Sequence, residues 1–323
     1  EKNTLLSLAD GETTLKVEFG GRTLTVPVKV KDAAKERTLA FSVDVMPVFL
    51  KAGCNTGSCH GSSSGKDKFR LSLFGFDPQG DYNRLTREEV GRRINIARPD
   101  DALIVEKSLG RVTHTGGKRF EKDSWQHRTF VEWLSAGAPS DPPKTPTVVD
   151  LEIYPLQAVL EGGGAKQQLT VRAKYSDGTD RDVTEQTMFI SNNSLAAVAT
   201  PEGLVTSGKP GEAFIMARFD QISTGTQILS IPKLPNYKFP SEPAGNYIDP
   251  LVYAKHKKVR ITPSGMCDDN TFIRRIYLDV IGKLPERAAV EKFVADKSST
   301  KRAQLVDELL GRPEFTKIWV MKW

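Results

Sequence analysis

The sequence predicts a multidomain chain in which an all-α unit is flanked by all-β sandwich modules and followed by a truncated α-helical segment. Three observations predict it. Alternating apolar and polar residues with turn signals occupy 1–45 and 147–232. Helix-spaced apolar residues with capping signals fill 46–140 and 246–323. Proline-rich stretches at 139–146 and 233–245 read as linkers between them.

Residues 1–45 read as strands. Leu15-Lys16-Val17-Glu18-Phe19 alternates, Gly20-Gly21 turns the chain, and 24–30 alternates again. This is a hairpin with one buried face, the expected tail of a sandwich. Phe41-Ser42-Val43-Asp44-Val45 suits either a last strand or the start of a helix. In 46–140, Met46-Pro47-Val48-Phe49-Leu50 reads as a short helix running into Cys54, and a Gly- and Ser-rich loop follows. Phe69, Leu71, Leu73, Phe74 and Phe76 form an apolar cluster of mixed period. Helices are expected over 87–94, 100–108 and 125–136; Asp123-Ser124 caps the last, and Gly137-Ala138-Pro139 ends it.

In 147–232, the alternation over 168–175, the turn Ser176-Asp177-Gly178-Thr179 and short apolar runs near 196, 204 and 215 indicate a sandwich. Asp177, Asp180 and Asp182 read as turn residues rather than calcium ligands. From Tyr247 the pattern turns helical. Asp268-Asp269 caps a helix over 271–281 with Phe272, Ile276 and Val280 on one face, and amphipathic helices follow over 286–295 and 301–310. Cys267 reads as a small buried residue, and His256, among Lys255, Lys257 and Lys258, as an exposed one.

The net charge is +6 with a pI near 9.1. Basic and acidic residues are interspersed and no basic–aromatic stacking motif occurs, so no nucleic-acid partner is expected. No run of apolar residues is long enough to span a membrane. Glu1-Lys2-Asn3-Thr4 is not a signal peptide; the chain reads as a piece of a larger protein whose targeting segment lies upstream. Three cysteines make no disulfide framework.

The chemistry sits in Cys54-Asn55-Thr56-Gly57-Ser58-Cys59-His60. In c-type haem attachment two thiols add across the vinyl groups, and the His after the second Cys binds iron. The usual spacing is Cys-x-x-Cys-His. Here four residues separate the cysteines, and the extra ones are expected to bulge out as a loop eased by Gly57. The same pair also suits a local disulfide, half of a zinc site with ligands from elsewhere, or two free thiols. A helix before the motif and another at the end of the unit suit a small cytochrome, with Phe49 and Trp133 as the expected crossing against one haem edge.

The histidines are His60, His114, His127 and His256. His114 lies in the Gly-rich loop Val112-Thr113-His114-Thr115-Gly116-Gly117 between two helices, a natural place for a distal ligand. The alternatives are a surface histidine, with the iron left open or bound by Lys. His127 is expected on the solvent side of the last helix, and Met46 lies on the wrong flank of the motif. Arg92 and Arg93 are candidates to pair with haem propionates, or are solvated charges.

Through Gly53-Cys54-Asn55-Thr56-Gly57-Ser58-Cys59-His60-Gly61 and Phe69-Arg70-Leu71-Ser72-Leu73-Phe74-Gly75-Phe76, the chain resembles a planctomycete family. Its members combine a cytochrome c-like domain, bacterial Ig-like group 2 domains and helical domains of unknown function. The resemblance implies a long-spaced cytochrome c-like domain over 46–140, with His114 where ordinary relatives place a Met. Tyr175-Ser176-Asp177-Gly178-Thr179 and Gly203-Leu204-Val205-Thr206 resemble the Ig-like module; 1–45 is similar to the end of a related one. The stretch from Asn246-Tyr247-Ile248-Asp249 to Trp319-Val320-Met321-Lys322-Trp323 is similar to the start of the helical domain. It also implies export, to the periplasm or cell surface.

The function expected is electron transfer by one covalent haem c with His60 and His114 as ligands, to an unnamed redox partner. The alternatives are a surface adhesion or polysaccharide-associated scaffold in which the haem is accessory, and a haem enzyme or gas sensor with open iron. An electron-transfer protein is favoured over a catalyst because two imidazoles leave no coordination position for substrate.

Overall fold

The computed structural model describes residues 7–31, 33–34, 38–89, 91–240 and 245–323. Glu1 to Thr4, read above for a leader, lie outside them, as does Val90 in the helix expected over 87–94. The chain divides into two compact units, Glu1–Asn236 and Tyr237–Trp323.

The first unit opens with strands β1 (Gly11–Phe19) and β2 (Arg22–Val30), paired antiparallel with Phe19 opposite Arg22. Gly20 and Gly21 both have positive φ, +54° and +74°, which a two-residue hairpin loop demands. The buried face expected of this hairpin is absent. Among the described residues no third strand joins it, and Phe19 and Leu24 are 87% and 62% exposed.

Phe41–Val45 forms a π-helical turn rather than a strand and runs directly into α1 (Met46–Lys51). Helix α2 (Pro78–Thr86) replaces the helix expected over 87–94. The reason is capping: the Asp77 carboxylate accepts from the Gly80 amide at 3.0 Å, and Pro78 pre-sets the first turn. Tyr82 and Leu85 then share its buried face. Helix α3 (Leu103–Leu109) ends at Gly110, whose φ is +72°. Helix α4 (Trp125–Ser135) is capped by Ser124, which accepts from the His127 amide.

These helices enclose one core. Phe41, Tyr82 and Trp133 form an aromatic trio with centroids 5.4–6.4 Å apart. Tyr82 Oη and Trp133 Nε1 each donate at 3.0 Å, to the carbonyls of Ala138 and Pro139. His127 is buried rather than solvent-facing, with Nε2 3.0 Å from Asp100 Oδ1. Its place three residues before Phe130 and seven before Leu134 puts it on their face.

The chain then forms β3 (Val148–Tyr154), β4 (Gln157–Glu161), β5 (Lys166–Gln168), β6 (Thr170–Tyr175) and β7 (Asp180–Asp182). Strands β8 (Met188–Ser191), β9 (Ala197–Ala199), β10 (Leu204–Ser207), β11 (Gly211–Phe219) and β12 (Ile222–Ile231) complete it. They make sheets in the orders β4-β12-β11-β8, β3-β6-β7 and β5-β10-β9. All contribute around one sandwich-like core that includes Ile153, Leu169, Val205, Ile215 and Ile228. Asp177 accepts from the Thr179 amide and hydroxyl at 2.9 and 2.7 Å, and Asp182 from the Thr184 amide at 2.9 Å. Asp180 pairs with Arg172.

The second unit holds α5 (Asp249–Val259), α6 (Asp269–Ile281), α7 (Arg287–Ala295), α8 (Lys301–Leu310) and α9 (Pro313–Lys322). Asp268 caps α6 by accepting from the Thr271 amide at 2.7 Å. The buried face of α6 is Ile273, Tyr277 and Ile281; Phe272, Ile276 and Val280, one position earlier, pack at its edge. Cys267 is half-buried and free. His256 is half-buried, not exposed, and its Nδ1 is enclosed. Among the described residues no helix is long and apolar enough to cross a membrane.

Asp269 ties the start of α6 to the start of α8, accepting from Lys301 at 2.6 Å and from Arg302 at 2.7 Å. Hydrogen bonds from Lys301, then Arg302, hold its carboxyl below the ordinary 3.8. A carboxyl held low when folded contributes stability above its unfolded pKa, lost as pH falls through the folded value. Protection of the α6 and α8 amides, taken relative to the intrinsic exchange rate at each pH, is therefore expected to fall as pH drops below about 4. Asp269→Asn should lower protection at neutral pH and flatten this acid response; an acid response as steep as in the parent would count against the tie.

Candidate functional site

The Cys54–His60 loop starts where α1 ends. Gly53 turns the chain at φ +71°, and the Cys54 amide donates to the Phe49 carbonyl at 2.9 Å. The loop closes when the His60 amide donates to the Cys54 carbonyl at 2.9 Å. Between them the Cys59 and Gly61 amides both donate to the Thr56 carbonyl at 3.0 Å. The additional residues thus form a self-bonded turn with Gly57 and Ser58 exposed at its tip. Gly57 does not use positive φ. The glycine this turn requires is Gly61, where a Cβ would lie 2.2 Å from the Asn55 carbonyl oxygen.

His60 is held from both sides. Its carbonyl accepts from the Leu71 amide at 2.8 Å, and its Nδ1 donates to the Phe69 carbonyl at 2.9 Å. Burial lowers its pKa, opposed by the hydrogen bond to Phe69, and His114 and Lys107 push the same way as burial. The imidazole is therefore neutral at pH 7. His114 is fixed in the same manner, with Nδ1 donating to the Gly117 carbonyl at 3.0 Å. Gly116 lets this loop close on itself: a Cβ there would lie 2.8 Å from His114 Cε1. The two imidazole rings lie 6.4 Å apart, centroid to centroid, with planes 7° from parallel. Neither Nε2 has a hydrogen-bond partner among the described residues.

Both rings line a cleft with about 640 Å³ of empty space including its mouth. Phe49, Phe69, Leu103 and Ile104 form apolar wall, Cys54 opens onto it, and Lys66, Arg92 and Lys107 bring positive charge beside the carboxylates of Asp67 and Glu89. Residues 247–323 match the PSCyt2 family, described as a protein of unknown function (DUF1549). No curated protein matches the chain. Among solved structures it is similar to the S-layer protein SbsC domains 4 and 5, at 12% identity and a TM-score of 0.24, over 27% of this chain and 53% of that one. It is also similar to surface layer protein SbsC, domains 1-6, at 14% identity and a TM-score of 0.25, over 32% of this chain and 14% of that one. The chain thus spans about half of the first structure.

The residues singled out in the sequence are not equivalent here. Cys54, His60, His114, Arg92 and Arg93 all line the cleft. Arg92 is exposed and pairs with Glu89 at 3.3 Å. Arg93 is buried: it donates to the carbonyls of Arg84, Glu88 and Lys68 at 2.7–2.9 Å, and stacks 4.7 Å from the Phe69 ring centroid. Trp133 lies in the helical core, away from the cleft lining, whereas Phe49 belongs to both.

Cys54 and Cys59 are free thiols. Burial pushes the Cys54 thiol up to about 12, against the pull of the Arg119 guanidinium. Arg119, which the sequence reading did not single out, donates to Cys59 Sγ at 3.4 Å. It also comes close to Gly53 and Gly116, so it links the cysteine loop to the His114 loop. No spacing signal marks it, because the contact spans sixty residues.

Among the described residues, no three His, Cys, Asp or Glu side chains converge as a metal cluster. A structural zinc ion needs four protein ligands, and the donor set does not meet that demand. A porphyrin supplies its iron with four nitrogens and takes one or two further ligands from the protein. The donors here, two parallel imidazoles with unclaimed Nε2 atoms beside an apolar wall and a thiol, fit that group.

Gly61→Ala tests the loop geometry. The added methyl meets backbone rather than a movable side chain, and forced overpacking costs about 1–3 kcal/mol. Thermal denaturation should show a loss of this size, while Gly57→Ala, with only Leu73 Cδ1 near at 3.9 Å, should be close to neutral.

Proposed function

We propose that residues 46–140 form a cytochrome c-like domain holding one haem c, in a chain that carries electrons outside the cytoplasm. Cys54 and Cys59 would supply the thioether links, His60 the proximal ligand and His114 the distal one. The observation that carries this reading is the pair of near-parallel imidazoles 6.4 Å apart. An imidazole nitrogen binds a metal ion at about 2.0 Å, so two rings on opposite sides of one ion have centres about 6 Å apart. Each ring also donates its Nδ1 hydrogen to a backbone carbonyl, the arrangement that orients metal-bound histidines.

The haem, when bound, supplies one-electron iron redox chemistry. The chain's own residues do the rest. His60 and His114 would both bind the iron, which would leave no position for substrate and favour transfer over catalysis. Phe49, Phe69, Leu103 and Ile104 would give the haem apolar contact. Arg92 and Lys107, which line the cleft, would pair with haem propionates, and Arg93 holds the Lys68 carbonyl. The planctomycete resemblance, with an Ig-like group 2 module and a helical domain that matches an uncharacterised family, supports export and a place at the cell surface.

Expression in a host competent for c-type maturation should add the mass of one haem, which stays with the polypeptide after acid denaturation. Free release of porphyrin, or colourless protein, would overturn the reading. The ferric spectrum should be low-spin, and His114→Ala should convert it to high spin. Ready binding of carbon monoxide to the reduced parent protein at neutral pH would remove His114 from the iron.

A further inference from the structure

We infer that the sandwich is a clamp on the His60 segment, with Lys51 and Arg218 as its positioning residues; the consequence for iron rests on the ligand role proposed for His60. The segment leaves α1 at Lys51, passes through the cysteine loop, and returns along 69–76. The sandwich holds it at both ends. At the first, Lys51 Nζ donates to the Thr187 carbonyl at 2.6 Å and to the Pro201 carbonyl, and lies 5.7 Å from the Phe189 ring centroid. At the second, the Arg218 guanidinium of β11 lies 4.2 Å from the Phe74 ring centroid. Beside it Gln221 Nε2 donates to the Phe76 carbonyl at 3.4 Å.

Phe74 carries the mark of an imposed position. Its φ is +54°, a conformation that costs a residue with a side chain and persists where the surroundings hold it. The restraint passes inward through backbone hydrogen bonds. The Phe74 amide donates to the Asn55 carbonyl at 2.9 Å, the Leu71 amide to the His60 carbonyl at 2.8 Å, and His60 Nδ1 to the Phe69 carbonyl. The carbonyl that orients the imidazole therefore belongs to a segment pinned from outside the helical core. Partners that orient a ligating histidine also tune its metal. The sandwich is thus part of the site's support and not a passive spacer.

The test uses the full chain, matured with haem, as Lys51→Met, Arg218→Ala and Lys51→Arg, with Arg172→Ala on the exposed sandwich surface as control. Circular dichroism checks folding. Hydrogen exchange over 69–76 is expected to be about tenfold faster in Lys51→Met and Arg218→Ala, and unchanged in Arg172→Ala. The low-spin ferric g-values should move in the same two variants while the covalent haem mass stays, and Lys51→Arg, which keeps donors, should restore the parent signal. Should Arg218→Ala not fold, Phe74→Leu removes the same stacking from the other side. Parent-like exchange and g-values in folded variants would overturn the clamp. Absence of covalent haem from the parent protein would instead sink the pocket reading, and the exchange comparison would still decide the clamp.

Discussion

The candidate site depends on one acceptor, the Phe69 carbonyl. It takes the Nδ1 hydrogen of His60 and also the Lys66 amide, at 2.9 and 3.0 Å. With Nδ1 so engaged, the neutral ring keeps its lone pair on Nε2. Much of the surrounding sequence serves to keep that oxygen in place. Arg93 packs against the Phe69 ring and grips the Lys68 carbonyl just before it. Buried Asp81 accepts from the Ser72 amide at 2.7 Å and from Arg84 at 2.9 Å, anchoring the returning chain a few residues later. Burial raises the Asp81 pKa against the bonds from Ser72 and Arg84. The polar residues of this unit thus act as struts behind the loop.

Local chemistry made part of this readable. The Gly20-Gly21 turn, the Ser124 and Asp268 caps and the helix over Lys301–Leu310 follow from propensity and capping that act within a few residues. The His60 and His114 loops were singled out by residue type, and the structure brings them together. Errors arose where a local signal was outweighed or overlooked. The helix expected over 87–94 ignored the Asp77-Pro78 start, and His127 was placed outward although its spacing matches Phe130 and Leu134. The edge of α6 was mistaken for its centre because Tyr277 counts as both polar and apolar. Arg119, Lys51 and Arg218 could not be found, since their partners lie 60 to 150 residues away and no period links them.

The sandwich and the helical unit differ in how their apolar surface is used. The sandwich draws on all three sheets and leaves its interior fully covered. The helical unit buries Ile273, Tyr277, Ile281 and Leu309, while no residue of α5 or α9 is buried. A match to a family of unknown function over 247–323 therefore concerns a unit whose outer helices rest lightly on its core.

The two sulfurs of the cysteine loop sit in different surroundings. Cys54 lines the cleft shared by His60 and His114, and burial pushes its thiol up to about 12. A protonated thiol is a poorer nucleophile than a thiolate. Cys59 lies outside the cleft lining, with the Arg119 guanidinium 3.4 Å from its Sγ. One loop therefore turns one sulfur to the cavity and rests the other against a cation.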